Sequence, residues 1–329
     1  MSAHEARFFP LVSVVIPTHN RLQLVQRAIR SAVNQTYVPM EIIVVIDGPE
    51  PDTVKALEGL HKPRLRVIEL QKNVGGNGAR NVGVQEAKGE WIAFLDDDDE
   101  WLAEKTERQI AFLADSAPGT NFVVCRTREV DTGFVDRVWP REFPRPGENW
   151  SEYLYCRGGF PDTSAYLVKR QLMIEVPFLE GISSGEDCDW LLRVNATGKL
   201  VAAWLGETLE ICHNDSDAAT RTGKKADWDR FYQWVLERRT LLTPKAFSYA
   251  LVKQGVPRIK RTKGPVSSSF RNYLRLFSAA AFKGKIDLRL CAYCFALLFL
   301  NGSTRGRLRV SYECARTRMA KLFRATETV

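Results

Sequence analysis

Over the first 130 residues, short apolar runs alternate with amphipathic stretches. Val12–Ile16, Glu41–Ile46, Leu65–Leu70 and Trp91–Leu95 are short, rich in β-branched residues and bounded by turn residues, which predicts four strands. Between the first two, Leu22, Val25, Ile29 and Val33 recur at helical spacing, and Val54–Leu60, Ala79–Ala87 and Trp101–Ala114 supply three further amphipathic helices. Because a parallel pair needs a crossover connection, this alternation predicts an α/β domain with a Rossmann-like, mostly parallel sheet flanked by helices.

From Asn121 the alternation loosens. Phe122–Val130 and Phe134–Val138 read as a hairpin turning at Asp131-Thr132-Gly133, followed by a Pro-rich loop from Pro140 to Pro146. A strand at Ser164–Val168, a helix from about Glu186 and two short strands at Leu200–Trp204 and Leu209–Cys212 follow, and beyond Asp227 the pattern is helical. The predicted division is an α/β domain over 1–226, with a nucleotide-binding half (10–115) and a substrate-shaping half (116–226), then a helical, basic region over 227–329.

Composition narrows the class without naming it. The chain's 45% hydrophobic and 26% charged residues are ordinary globular usage, which excludes collagen-like, mucin-like and extensively disordered chains. Seven scattered cysteines and a start without a basic and apolar leader pattern point to a reducing, cytoplasmic setting. Charge is divided unevenly: residues 1–250 carry 30 Lys/Arg against 36 Asp/Glu, residues 251–329 carry 17 against 3. A tail of that density faces phosphates, of nucleic acid or of an anionic bilayer.

Each predicted strand of the first half ends in a polar motif. Strand one runs into Pro17-Thr18-His19-Asn20-Arg21, strand two into Asp47-Gly48-Pro49, strand three into the stretch from Asn73 to Asn81, and strand four into Asp96-Asp97-Asp98-Asp99. Any one of these serves equally as a turn or a helix cap. Together they occupy one edge of a parallel sheet, where open α/β folds bind ligands. Four adjacent carboxylates repel one another, and a divalent cation, Mg²⁺ or Mn²⁺, removes the conflict; the His/Cys spacing of a zinc site is absent. Gly75-Gly76-Asn77-Gly78 matches neither nucleotide-loop signature and reads as a flexible approach to the ligand, with Arg80 placed to counter a phosphate. In Ser184-Gly185-Glu186-Asp187-Cys188-Asp189-Trp190, Ser184 and Asp187 fit a capping box, while an aspartate at that helix start also suits a general base. His213 is either a cation or phosphate ligand or an ordinary histidine.

In their order along the chain, Val14-Val15-Ile16-Pro17-Thr18-His19-Asn20-Arg21, Ile43–Gly48, Ala79-Arg80-Asn81, Gly89–Asp99 and Gly185–Trp190 resemble the inverting glycosyltransferases of family 2, with the GT-A fold, over roughly residues 10–220. Ile46 and Pro49 depart from that pattern, standing where an aspartate and a serine are usual. The resemblance implies that Pro17, Thr18, His19, Asn20, Arg21 and Asp47 hold the base and ribose of a nucleotide sugar, usually a UDP-sugar, with Arg80 and Asn81 beside them. Asp96 or Asp97 would take the ribose, Asp98 the metal ion, and Asp187 the role of catalytic base, with His213 a second candidate for the metal from its place at a strand end alone. Glu186, Asp189 and Trp190 would shape the acceptor side.

Leu290–Leu300 is eleven apolar residues, short of the ~18–20 that span a bilayer, flanked by Lys283, Lys285 and Arg289 before and by Arg305, Arg307 and Arg309 after. Those flanks point to peripheral association with an anionic membrane, at the inner face of the cell membrane, and to a lipid-linked saccharide acceptor. Cys291 and Cys294 read as packing residues of this helix. Two alternatives stand beside this reading. A sugar nucleotidyltransferase would carry a Gly- and Lys/Arg-rich loop after strand one, which Pro17–Arg21 lacks; a nucleic-acid-binding protein would use the basic tail, which contains no recognisable RNA or DNA motif.

Overall fold

The computed structural model describes residues 9–60, 64–130, 137–182, 185–213, 228–261 and 266–299, and the chain divides into two compact units, 1–226 and 227–329. The first unit opens with β1 (Val12–Thr18), α1 (Leu22–Val33), β2 (Met40–Ile46), α2 (Pro51–Glu58), β3 (Leu65–Glu69), α3 (Gly76–Glu86) and β4 (Trp91–Phe94). It continues with β5 (Asp99–Trp101), α4 (Lys105–Ala114), β6 (Phe122–Val130), β7 (Arg137–Trp139) and the short α5 (Trp150–Glu152). It ends with β8 (Tyr166–Lys169), α6 (Arg170–Glu175), α7 (Glu186–Ala196) and β9 (Ala202–His213).

The described strands form one nine-stranded sheet in the order β3-β2-β1-β4-β8-β6-β9-β5, with β7 beside β6. Across β3, β2, β1 and β4 every pairing is parallel, and the central strands β1, β2 and β4 are mostly apolar and, apart from half-buried Glu41, buried, as strands covered on both faces must be. The expectation of a mostly parallel sheet stops at β4. Beyond it, β4–β8, β6–β8, β6–β7 and β5–β9 are antiparallel and β6–β9 is parallel, because these strands are not joined by successive strand–helix–strand crossovers. The hairpin of β6 and β7 is present; its turn at Asp131-Thr132-Gly133 lies outside the described residues.

Three local expectations are corrected. Asp99–Trp101, expected to lead directly into a helix, pair with β9 as β5, so α4 begins only at Lys105. The two short strands expected between Leu200 and Cys212 are one strand, β9, whose ladder with β6 slips in register around Arg126. The glycine stretch after β3 is not a flexible approach: Gly76 and Gly78 lie in the first turn of α3. A Cβ on Gly78 would stand 2.6 Å from Val74 Cγ2, and one on Gly83 would stand 2.3 Å from Val15 Cγ1, so Gly78 lets the connection from β3 fold back on α3 and Gly83 lets α3 lie close against β1. Gly83→Ala is accordingly expected to destabilise the first unit by about 1–3 kcal/mol through overpacking, read as a lower denaturation midpoint at unchanged m-value.

The second unit is helical in its described part: α8 (Trp228–Glu237), α9 (Pro244–Ala250), α10 (Val256–Arg261), α11 (Val266–Lys283) and α12 (Leu288–Phe299). Its core gathers Trp228, Phe231 and Tyr232 with Leu251, Val256, Ile259 and Leu276. Gly255 is required there, since its Cβ would meet Trp228 at 2.7 Å and Leu276 at 2.8 Å. Cys291, expected to pack, is exposed. Among the described residues no helix is long and apolar enough to cross a membrane. Arg305, Arg307 and Arg309 lie outside them.

Candidate active site

The aspartate run is laid across the ends of β1 and β4 and read differently on its two sides. Leu95 is held to β1 through its N–H on the Val15 carbonyl, and Asp99 N–H turns back to the Asp96 carbonyl before β5 begins. Asp97 therefore points inward. It accepts from Thr18 Oγ1 at 2.8 Å and from Arg21 Nη1 at 2.9 Å, and burial with the neighbouring Asp98 raises it to about 6 against the pull of Arg21 and Thr18. Asp97, Thr18 and Arg21, expected on the nucleotide, thus tie the run to β1, with Arg21 also 3.4 Å from Asp98. Pro17 is buried inside β1. Asp96 and Asp98 remain partly exposed, as does His19, whose Nδ1 lies 3.1 Å from Glu50 Oε1. Asn20 takes a left-handed φ of 54°, which asparagine tolerates, and donates its N–H to Glu50 at 2.7 Å.

Asp47 is buried and is also committed. Its two carboxylate oxygens accept the N–H groups of Val74 and Gly75 at 2.7 and 2.9 Å, which fixes the connection from β3 into α3. Gly48, at φ 127°, makes the turn that lets Asp47 reach it. Asn81 is likewise tied to the scaffold: its amide donates to the Phe178 carbonyl at 2.9 Å and accepts the Phe178 N–H at 3.0 Å. Arg80, expected to meet a phosphate from a flexible loop, is buried in α3. Its Nη2 donates to Asp96 Oδ1 at 2.5 Å and its Nη1 to Asn77 at 3.1 Å. Burial alone would lower the Arg80 guanidinium, but Asp96, Glu186 and Asp187 outweigh it and hold it above its ordinary value.

That charge coupling joins the aspartate run to the start of α7. Gly185, at φ 83°, precedes the helix without a side-chain cap, and Ser184 of the expected capping box lies outside the described residues. Glu186 and Asp187 are partly exposed; Asp187 Oδ1 accepts from Thr163 Oγ1 at 2.9 Å. Burial, Glu186 and Asp162 push the Asp187 carboxyl well above the usual carboxylate range, against Thr163 and Arg80. The two other α7 residues expected on the acceptor side face the interior. Asp189 is fully buried and bonded to Arg193 Nε at 2.6 Å, one turn along the helix. Trp190 is fully buried, donates its Nε1–H to the Val176 carbonyl at 2.7 Å and packs on Phe122, Tyr166 and Phe178.

Strand alternation divides the candidate metal ligands. Asp99 pairs with Cys212 across the β5–β9 ladder, so these two share a face, while Glu100 and His213 take the opposite one and meet at 3.1 Å. Among the described residues, Asp99, Asp162 and Cys212 bring ligand atoms within 4.8 Å of one another; Asp98 and His213 lie outside that set. Asp162 and Thr163, which the sequence reading passed over, sit in the loop before β8. Asp162 accepts the Ser164 N–H at 3.0 Å, and the Ser164 hydroxyl in turn donates to Asp99 at 2.6 Å. An acid followed by Thr-Ser is a capping signature, and that was the only local signal. Burial and Asp96 raise Asp162 to about 7, and burial with Asp162 and Glu210 raises Asp99 well above its usual range. Glu210, fully buried on the Cys212 side of β9, is raised well above the usual carboxylate range by burial and by Asp162, against the Thr127 hydroxyl. Carboxylates held at such cost fit a divalent cation.

The arrangement can be set against known proteins. Residues 13–175 match the Glycosyl transferase family 2 model. An uncharacterized glycosyltransferase of Rickettsia bellii is 30% identical over 57% of this chain and 27% of its own length. The amylovoran biosynthesis glycosyltransferase AmsB of Erwinia amylovora is 27% identical over 56% of this chain and 64% of its own. The GalNAc(5)-diNAcBac-PP-undecaprenol beta-1,3-glucosyltransferase of Campylobacter jejuni is 40% identical over 29% of this chain and 31% of its own. The chain thus spans less than two thirds of the length of each of these relatives. Among solved structures, S. aureus TarS 1–349 in complex with UDP-GlcNAc superposes with a TM-score of 0.55 at 16% identity, over 88% of this chain and 79% of that one. The mannosyltransferase PcManGT from Pyrobaculum calidifontis, in complex with GDP-Man and Mn²⁺, gives 0.50 at 17% identity over 94% and 81%. The fold is therefore the GT-A fold, and over residues 13–175 the chain belongs to glycosyltransferase family 2.

Proposed function

We propose that the first unit moves a sugar from a nucleoside diphosphate sugar, a UDP-sugar in the first instance, to a hydroxyl of a saccharide or lipid-linked saccharide, with inversion at the anomeric carbon. One observation carries the reading: buried Arg80 couples Asp96, on the donor side of the sheet edge, to Glu186 and Asp187 at the head of α7. Asp187 accepts the proton of the acceptor hydroxyl, held in orientation by the Thr163 hydroxyl. The acceptor oxygen attacks the anomeric carbon from the face opposite the diphosphate, the carbon–oxygen bond to phosphate breaks, and its electron pair leaves with the diphosphate. His19, Asn20 and Asp96, the exposed or half-buried groups at the strand ends, are the donor contacts. A divalent cation, when bound, supplies Lewis-acid charge for the leaving diphosphate, and Asp98, or Asp99 and Asp162 with Cys212, would hold it. The names of AmsB and of the undecaprenol-linked glucosyltransferase support polysaccharide or glycolipid assembly, and the basic flanks of the apolar helix are our ground for placing it at the inner face of a cell membrane. No nucleic acid is needed.

Donor binding and turnover across a panel of UDP-, GDP- and dTDP-sugars with Mn²⁺, Mg²⁺ or EDTA tests the assignment; one donor bound in a metal-dependent way is expected. Asp98→Ala against Asp162→Ala then locates the ion, since the variant that loses Mn²⁺ dependence names the ligand. If no nucleotide sugar binds under any metal condition, the proposal fails.

The same acids set a stability prediction. Asp97 and Asp162 titrate near 6 and 7 in the folded chain, above the unfolded value of 3.8, so the folded state holds their protons longer. Their contribution to stability is complete below that unfolded value and is lost as pH rises through 6 and 7. In EDTA the melting temperature of the first unit's transition is expected to fall between pH 5 and pH 8 as a direct result, and Asp162→Asn to flatten the slope. Cation at about 100 times its Kd should restore about 2.7 kcal/mol at pH 8, or about 5–10 °C for a unit of this size.

A further inference from the structure

The second unit carries an apolar face that points outward. α12 contains one charged residue, Arg289, and turns Leu290 into the core, while Leu288, Cys291, Ala292 and Phe295 stand exposed at the spacing of a single helical face. The end of α11 and the turn that follows it add further exposed apolar residues next to α12 in the chain. Phe282 and Leu288 are each 89% exposed, Phe295 59% and Ile286 42%. Lys283, Lys285 and Arg289, all exposed, stand among them. The one acid between residues 251 and 299, Asp287, is withdrawn: it accepts from Tyr249 Oη at 3.0 Å and from the Leu290 N–H at 2.8 Å.

We propose that this face, formed by Phe282, Ile286, Leu288 and Phe295 with Lys283, Lys285 and Arg289, docks the chain on an anionic lipid surface, lying in the headgroup boundary. Charge selects that occupant. A second copy would bring the same three cations, and residues 300–329 bring seven Lys/Arg against two Glu, so both are repelled. Nucleic acid offers phosphates but no apolar phase for Phe282 and Leu288. A bilayer with anionic headgroups offers both. At twelve residues, α12 is about 18 Å long, which suits lying in the interface rather than crossing a core of about 30 Å. The inference deepens the membrane part of the proposed function and rests on that reading. It is measured without donor or acceptor, so failed transfer and failed docking are separate results.

The test is flotation of the full chain with phosphatidylcholine vesicles, with and without phosphatidylglycerol. Binding to the anionic vesicles alone is expected. Phe282→Ser with Leu288→Ser, which leaves every charge in place, should weaken it at least tenfold, and so should Lys283→Glu with Lys285→Glu. These side chains are exposed, so far-UV circular dichroism and melting should stay as in the wild type. In Leu288→Trp, emission should be quenched by brominated acyl chains beyond the quenching of the eight native tryptophans. Serine variants that float like the wild type would overturn the proposal and leave the basic tail as the anchor. Concentration-dependent self-association abolished by Leu288→Ser would overturn it in favour of a second copy.

Discussion

Asp187→Asn is expected to lower the transfer rate by about 10²–10⁴, the usual contribution of a positioned general base, while donor affinity is retained. Asparagine keeps the shape and can still accept the Thr163 hydroxyl, so the start of α7 should stand unchanged. What it loses is the carboxylate that takes the proton. The wild-type pH profile carries the same information. A base must be ionised to act, and burial, Glu186 and Asp162 raise Asp187, so the acid limb of kcat should lie above the ordinary carboxylate range, with activity rising as pH rises through it. Glu186→Gln removes one of the charges that raise Asp187 and should move that limb to lower pH. Thr163→Val removes a hydrogen bond that favours the ionised form and should move it higher. A limb that stays in place in both variants would assign the titration to another group.

Arg80→Met should be the most destabilising of the substitutions considered, by about 2–4 kcal/mol, because it removes the buried cation shared by three half-buried carboxylates, which are left facing one another. Arg80 is bonded to Asp96 and Asn77 and is coupled to Glu186 and Asp187, so its loss reaches both sides of the site. At about 2–4 °C per kcal/mol, the melting temperature falls by roughly 10 °C. Adding Asp96→Asn to Arg80→Met should recover part of the loss, since the pair is in contact and its effects are not additive. A double variant as unstable as the sum of the singles would show that the ion pair is not what Arg80 contributes.

The parallel half of the sheet was legible because its strands are continuous apolar runs separated by helical periodicity, and β1 to β4 pair as that pattern requires. The second half was not, since its order depends on which strands reverse, and nothing in the period of β6, β8 or β9 encodes that. Within the site, the residue types were legible and their assignments only partly so. Four adjacent aspartates look alike along the chain; the bend after Leu95 and the pairing of β5 send Asp97 to Arg21, Asp99 to Ser164, and leave Asp96 to Arg80. Asp47, Asn81 and Asp189 are polar groups that a ligand or a backbone can satisfy equally well, and here the backbone, or for Asp189 a neighbouring arginine, does so. Trp190 stands next to Asp189 in the chain, but α7 turns it into the aromatic core. Asp162 shares its surroundings with Asp99 and Cys212 only after folding, which no local pattern announces.

The anomeric configuration of the product tests the account most directly. With a single base, Asp187, and one direct displacement at the anomeric carbon, the product linkage must be opposite to that of the donor. Proton NMR of the first-formed product from an α-linked nucleoside diphosphate sugar should show the β-anomeric signal alone. An α-linked product would contradict the assignment of Asp187 as the base of a single displacement.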